Sequence, residues 1–110
     1  MKIRFFNEKQ ILFYEVYDYD AIQVDECGDN YFNYGLEFFV LNNGNDTRVI
    51  GLLYQSSGEF ILQGIKRALE EGTDTLNVEY QADDNIERLR FYFIDPKTGF
   101  QVSKEHEAGK

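Results

Sequence analysis

The chain has 110 residues, with 20 acidic and 11 basic side chains and a formal net charge of −9. This length predicts a single domain, and 43% hydrophobic residues with ten Phe and eight Tyr exclude a fully disordered chain. The acidic balance argues against direct binding to nucleic acid or to an anionic membrane surface, because both depend on lysine and arginine contacts.

The first half of the chain predicts two hairpins. Residues 2–6 and 11–18 are rich in Ile, Phe, Tyr and Val and flank a polar loop at 7–10. Residues 20–34 are dense in Asp, Asn and Gly, which predicts an irregular loop that could contain a short strand. Residues 36–41 and 48–54 are β-type runs around an Asn-Gly turn, so they predict the second hairpin.

A helix is predicted at about 57–71. Ser56 and Glu59 have the spacing of a capping box, and Gly72 stands where a left-handed C-cap is needed. Apolar residues recur at helical spacing between these ends, and they are Ile61, Leu62, Ile65, Ala68 and Leu69. Such a stripe predicts packing against a sheet.

The remaining strands alternate between apolar and polar residues. Residues 75–81 and 86–94 predict two strands, with Leu89, Phe91 and Phe93 inward and Arg88, Arg90 and Tyr92 outward. A turn at 95–99 and a return strand at 100–103 follow. The order predicts an α+β domain over residues 1–104, a single antiparallel sheet of six or seven strands with one helix on one face, and a flexible tail at 105–110.

The negative charge is concentrated in one segment. Residues 10–47, the acidic segment, contain eight acids and no Lys or Arg, whereas the rest of the chain has 12 acids and 11 bases. The segment also contains five of the eight tyrosines. Clustered carboxylates accelerate encounter with a basic protein, and tyrosines among them provide apolar area and hydroxyl groups for an interface.

The acidic segment therefore predicts a protein-binding surface. Its expected members are five acids, Asp18, Asp20, Asp25, Glu26 and Asp29, and four tyrosines, Tyr17, Tyr19, Tyr31 and Tyr34. The other interpretation is a solvated acidic surface that keeps the protein soluble, with the tyrosines half-buried in their own sheet.

The sequence predicts neither catalysis nor a cofactor. His106 is the only histidine and lies in the predicted tail, whereas a general base needs fixed geometry. Cys27 lies among carboxylates, which raise a thiol pKa. No EF-hand spacing is present, and one Cys with one His cannot form a zinc site, so no metal is expected. Arg88 and Arg90 are interpreted as surface residues paired with Glu87.

These features resemble the small acidic immunity proteins of bacterial toxin systems, including contact-dependent inhibition. The resemblance covers the size, the acidity, the turn at Asn42-Asn43-Gly44, the helix between Ser56 and Gly72, and two final strands ending near Phe100. It implies a cytoplasmic, non-catalytic monomer or weak dimer that neutralises a basic cognate toxin, often a nuclease.

Two other functions remain open. A phage-encoded inhibitor could use the same carboxylates as phosphate mimics, although only Asp18 and Asp20 have the i, i+2 spacing that resembles successive phosphates. A self-assembling structural module could instead use the edges of a Phe/Tyr-rich sheet.

Overall fold

The computed structural model describes residues 1–16, 22–26, 37–43, 46–52 and 54–109, and the structural statements below concern these residues. They form strands β1 (Lys2–Phe6), β2 (Leu12–Val16), β3 (Ile22–Glu26), β4 (Glu37–Asn43), β5 (Asp46–Leu52), helix α1 (Gln55–Glu71), and strands β6 (Thr75–Asp83), β7 (Ile86–Ile94) and β8 (Gln101–Gly109).

The strands form two sheets, so the predicted single antiparallel sheet is wrong in this detail. The larger sheet has the order β2-β1-β6-β7-β8, and the smaller has the order β3-β4-β5. Strand β1 pairs with β6 in parallel, with Ile3 opposite Leu76, whereas the other pairs are antiparallel. The α+β class and the single main helix are confirmed for the described residues.

The smaller sheet contains the predicted second hairpin. Strands β4 and β5 pair from Glu37 opposite Leu52 to Asn43 opposite Asp46, as the Asn-Gly turn predicts. Strand β3 lies in the segment for which the sequence predicts an irregular loop that could contain a short strand, and Asp and Asn are dense around its five residues. Its pairing with β4 shows that a neighbouring hairpin overrides weak local β-propensity.

Helix α1 begins at Gln55, and its N-cap is Tyr54, which makes no side-chain capping hydrogen bond. The predicted capping box is therefore wrong, because Ser56 already lies inside the first turn. The C-terminal prediction is confirmed: Gly72 has φ 73°, a left-handed conformation that glycine adopts without a steric penalty.

One face of the larger sheet packs against the helix. Ile61, Ile65 and Ala68 of α1 are buried in one cluster with apolar residues of β1, β6 and β7, which are Ile3, Phe5, Leu76, Val78, Leu89, Phe91 and Phe93. Leu62 and Leu69 are 43% and 40% exposed, so the buried stripe is narrower than the sequence predicts.

Strand β8 extends to Gly109 and pairs with β7 along its whole length, from Ile94 opposite Gln101 to Ile86 opposite Gly109. This pairing differs from the predicted tail at 105–110. The sequence does not predict this strand because few of its residues are apolar. The strand forms because nine residues of β7 provide its backbone partners.

Candidate functional site

The structure describes two of the nine predicted binding residues. Asp25 and Glu26 end strand β3, at the edge of the smaller sheet. The other seven lie outside the described residues, and they are Tyr17, Asp18, Tyr19, Asp20, Asp29, Tyr31 and Tyr34.

The β3–β4 register places two acidic positions together. Glu26 is directly opposite Glu37, and Asp25 precedes Glu26 in the same edge strand. Like charges at opposed positions destabilise an antiparallel pair. One end of the smaller sheet therefore carries three acidic positions, of which Glu26 and Glu37 are directly opposed and Asp25 is opposite Phe38.

The larger sheet has a second face that the helix does not cover, called here the open face. Glu15, Arg4, Asn77, Tyr92 and Ser103 are successive cross-strand neighbours, and so are Glu79, Arg90 and Glu105. The outward positions predicted for Arg88, Arg90 and Tyr92 are confirmed, because they alternate with the buried residues of β7.

Ion pairs cross the open face. Arg4 Nε donates to Glu15 Oε2 at 3.1 Å, and Arg88 Nε donates to Glu107 Oε2 at 3.0 Å. Arg90 donates from Nη1 to Glu79 at 2.9 Å and from Nε to Ser103 Oγ at 3.0 Å. The Arg90 guanidinium also lies 4.6 Å from the centre of the Tyr92 ring. Three contacts therefore fix Arg90 in one orientation.

A groove of about 440 Å³ lies beside these pairs. The loop between β1 and β2 contributes Asn7, Glu8 and Gln10 to it, and β6, β7 and β8 contribute the rest of its lining. We call it the charged groove because six of its lining residues are charged, and they are Glu8, Glu79, Arg88, Arg90, Glu105 and Glu107. These charged groups come from three strands and a loop, so they surround the groove from several sides. Such an arrangement suits a polar or ionic ligand.

Two exposed apolar residues flank the β7–β8 turn. Ile94 is 53% exposed at the end of β7, and Phe100 is 75% exposed just before β8. Exposed single apolar residues are common, but these two flank one turn at the end of a charged surface.

His106 is fixed against the helix. Its ring stacks on Phe60 with 5.1 Å between ring centres, and its Nε2 lies 3.3 Å from Ser56 Oγ. Its place in β8, opposite Leu89, explains this position. The contacts join the last strand to the first two turns of α1.

A buried carboxylate joins the helix start to the β6–β7 hairpin. Glu87 Oε1 accepts a hydrogen bond from the Tyr54 backbone N–H at 3.0 Å, and Oε2 accepts one from the Tyr80 hydroxyl at 2.8 Å. Glu87 lies on the buried side of β7, whereas Arg88 and Arg90 lie on the other side and pair with Glu107 and Glu79, contrary to the sequence interpretation. Burial, then the hydrogen bond and charge of Glu87, raise the pKa of Tyr80 above its ordinary value.

Sequence reasoning missed the charged groove because strand order decides which charges meet. Alternation places Arg88 and Arg90 outward, but only the β7–β8 pairing brings Glu105 and Glu107 beside them. Among the described residues, no group of three or more His, Cys, Asp or Glu is arranged to hold a metal ion. Within the same residues, no helix has the length and apolar character needed to cross a membrane.

Comparison of the chain with protein-family models, curated proteins and solved structures gives no match.

Proposed function

We propose that this protein is a non-catalytic protein-binding module that neutralises a basic partner, as an immunity protein neutralises its cognate toxin. The observation that carries the proposal is the acidic segment, where eight carboxylates occur in residues 10–47 without one lysine or arginine. A basic nuclease has the complementary charge, and it would be blocked if this surface covered its active site.

The described part of the acidic segment supports this proposal. Asp25 and Glu26 lie on an edge strand, and Glu26 is opposite Glu37. Acidic residues at opposed positions are unfavourable in an antiparallel pair, whereas a cationic partner would be attracted to them. An arrangement that is unfavourable in the free protein and favourable in a complex is typical of a binding surface.

The proposed mechanism has two stages. The carboxylates accelerate the encounter with the basic partner, and the tyrosines of the acidic segment then bury apolar area in the formed complex. Inhibition follows from occlusion, so this chain needs no bond-making step of its own. We place this action in the cytoplasm and assign it to a monomer or weak dimer.

Self-assembly through the long edge strand β8 is the less favoured alternative. Lys104, Glu105 and Glu107 place charges along this edge, and charged edge strands resist pairing with other chains. In a variant of the proposed mechanism, the carboxylates of the acidic segment mimic phosphates and the partner is a nucleic-acid-binding defence protein.

The test is binding to the purified product of the adjacent gene, measured for the wild type and for two charge variants. The first variant neutralises the predicted acids, by D18N, D20N, D25N, E26Q and D29N. The control changes the net charge equally outside the segment, by E59Q, E70Q, D74N, D83N and D84N.

We expect the first variant to associate at least about tenfold more slowly at low salt, because it loses the local field that accelerates encounter. The control should change the rate much less. Absence of binding by the wild type, or equal rates for the two variants, would contradict the proposal.

A further inference from the structure

The open face of the larger sheet is close to neutral, although the chain is strongly acidic. Alternate positions of the five strands point to this face, because the positions between them are buried on the helix side. The charged residues at these positions are four bases and five acids, and they are Lys2, Arg4, Arg88, Arg90, Glu15, Glu79, Asp83, Glu105 and Glu107. Their net charge is −1, against −9 for the whole chain. A second copy of the chain is therefore repelled less by this face than by the rest of the surface.

The charges of the open face are sorted by strand. On this face β1 and β7 present only bases, whereas β6 and β8 present only acids. In spatial order the pairs are Lys2 and Arg4 on β1, Glu79 and Asp83 on β6, Arg88 and Arg90 on β7, and Glu105 and Glu107 on β8. Four neighbouring strands thus alternate in sign from positive at β1 to negative at β8.

This alternation makes the open face complementary to a second copy of itself. A two-fold axis that runs parallel to the strands, between β6 and β7, reverses the strand order of the second copy. Strand β8 of one copy then lies over β1 of the other, and β7 lies over β6, so every basic strand faces an acidic one. Stacked sheets are about 10 Å apart, which two long charged side chains span when they extend toward each other.

The residues nearest this axis are already paired within one copy. Arg90 is opposite Glu79 in the β6–β7 register and donates to it at 2.9 Å. Arg90 also lies over the Tyr92 ring at 4.6 Å, and Arg4 lies over the Phe6 ring at 5.2 Å. Covering such groups leaves the arginines paired, so their burial does not strand a charge away from water. Two copies would bring two arginines and two glutamates together in one cluster at the axis.

The overlap of the two faces predicts a weak dimer. Four strands about 4.8 Å apart, with a rise of about 3.4 Å per residue, cover roughly 500 Å² of sheet on each copy. A standard interface buries about 800 Å² on each side, so this contact belongs with small, reversible interfaces.

We propose that the open face is the interface of a weak two-fold homodimer, in which β8 of each copy lies over β1 of the other. The interface is formed by sheet faces, so it does not require pairing along the charged edge of β8. The inference goes beyond the proposed function, because it uses none of the nine predicted binding residues of the acidic segment.

The test is sedimentation velocity of the full chain at about 0.1 M salt, over protein concentrations from about 5 to 500 µM. We expect a concentration-dependent dimer with a dissociation constant in the micromolar range. Glu105→Lys and Lys2→Glu each place like charges between β8 and β1 at two symmetric contacts, so each should weaken the dimer by at least about tenfold.

The double variant K2E/E105K exchanges the two charges and keeps the wild-type net charge. Its dimer should be restored to within about threefold of the wild-type affinity. Glu70→Lys is the matched control, because it makes the same charge change as Glu105→Lys at an exposed position of α1. It should not weaken the dimer.

Three results would overturn the proposal: a monomer at every concentration, equal effects of Glu105→Lys and Glu70→Lys, or a double variant as weak as the single ones. Thermal melts followed by circular dichroism show that each variant is folded. None of these results bears on binding of the acidic segment to the adjacent gene product, which is measured separately.

Discussion

At the scale of single residues, Glu87 is fully buried and accepts hydrogen bonds from the Tyr54 backbone and the Tyr80 hydroxyl. The Tyr54 hydroxyl in turn donates to the Asn85 carbonyl in the β6–β7 turn. A buried carboxylate is costly unless donors satisfy it, so these contacts explain how the core tolerates this charge. They also couple the beginning of α1 to the hairpin beneath it.

The raised pKa of Tyr80 predicts a loss of stability at alkaline pH. The native state retains the hydroxyl proton at pH values where the unfolded chain releases it. The free energy of unfolding should therefore be unaffected by this group below about pH 10 and should fall above it, by at most about 1.4 kcal/mol per pH unit. Urea titrations between pH 8 and 11 measure this dependence.

In the Tyr80→Phe variant, the free energy of unfolding should no longer fall above about pH 10 because of this group. Below pH 10 the variant should be less stable than the wild type by about 1–3 kcal/mol, because Glu87 loses one hydrogen-bond donor. Tyr54→Phe is the control, since it removes a hydroxyl but keeps the Tyr80–Glu87 hydrogen bond. If the free energy of unfolding changed with pH in the same way for the wild type and Tyr80→Phe, this explanation would be contradicted.

At the scale of elements, α1 contacts the larger sheet closely at Gly64. A Cβ atom built there would lie 2.7 Å from Cδ2 of the Phe91 ring, which is itself buried. Glycine is thus required for the short helix–sheet distance at this position. The close approach lets Ile61 and Ile65 reach the core on either side of it.

The two faces of α1 predict contrasting costs for similar substitutions. Ile65 is 4% exposed, so Ile65→Ala should lower the free energy of unfolding by about 2–5 kcal/mol. Leu62 is 43% exposed, and Leu62→Ala should cost about 1 kcal/mol or less. Urea denaturation of both variants tests this, and similar losses at the two positions would show that the assigned buried face is wrong.

The elements that could be predicted from sequence depend on short-range signals. The Asn-Gly hairpin, the Gly72 cap and the inward alternation of Leu89 and Phe91 follow from turn chemistry and periodicity. The β1–β6 parallel pair and the extension of β8 depend on which strands meet in space, and periodicity does not encode this. The charged groove shares that origin, because its residues come from one loop and three strands.

At the scale of the whole molecule, the proposed partner binding combines a charge term and an apolar term. The net charge of −9 acts over distance, whereas tyrosines and exposed apolar residues act on contact. Salt separates the two, since the screening length falls from about 10 Å at 0.1 M to about 3 Å at 1 M.

Association with the adjacent gene product should therefore slow steeply between these salt concentrations, while dissociation should change far less. Stopped-flow mixing measures the first rate, and surface-bound dissociation measures the second. The five-site acidic variant is the internal control, because its association rate should depend less on salt. A salt-independent association rate for the wild type would remove the electrostatic part of the proposed mechanism.

The parallel pairing of β1 with β6 also has a consequence for biosynthesis. Strand β1 ends at Phe6, and its parallel partner begins at Thr75. At about 5–20 residues per second, a ribosome needs roughly 3–14 s to reach β6 after completing β1. During that interval the edge of β1 that later pairs with β6 remains unpaired. Chaperones and neighbouring nascent chains would compete for this edge, so yield in the cell should depend on how quickly the intervening residues 7–74 are translated.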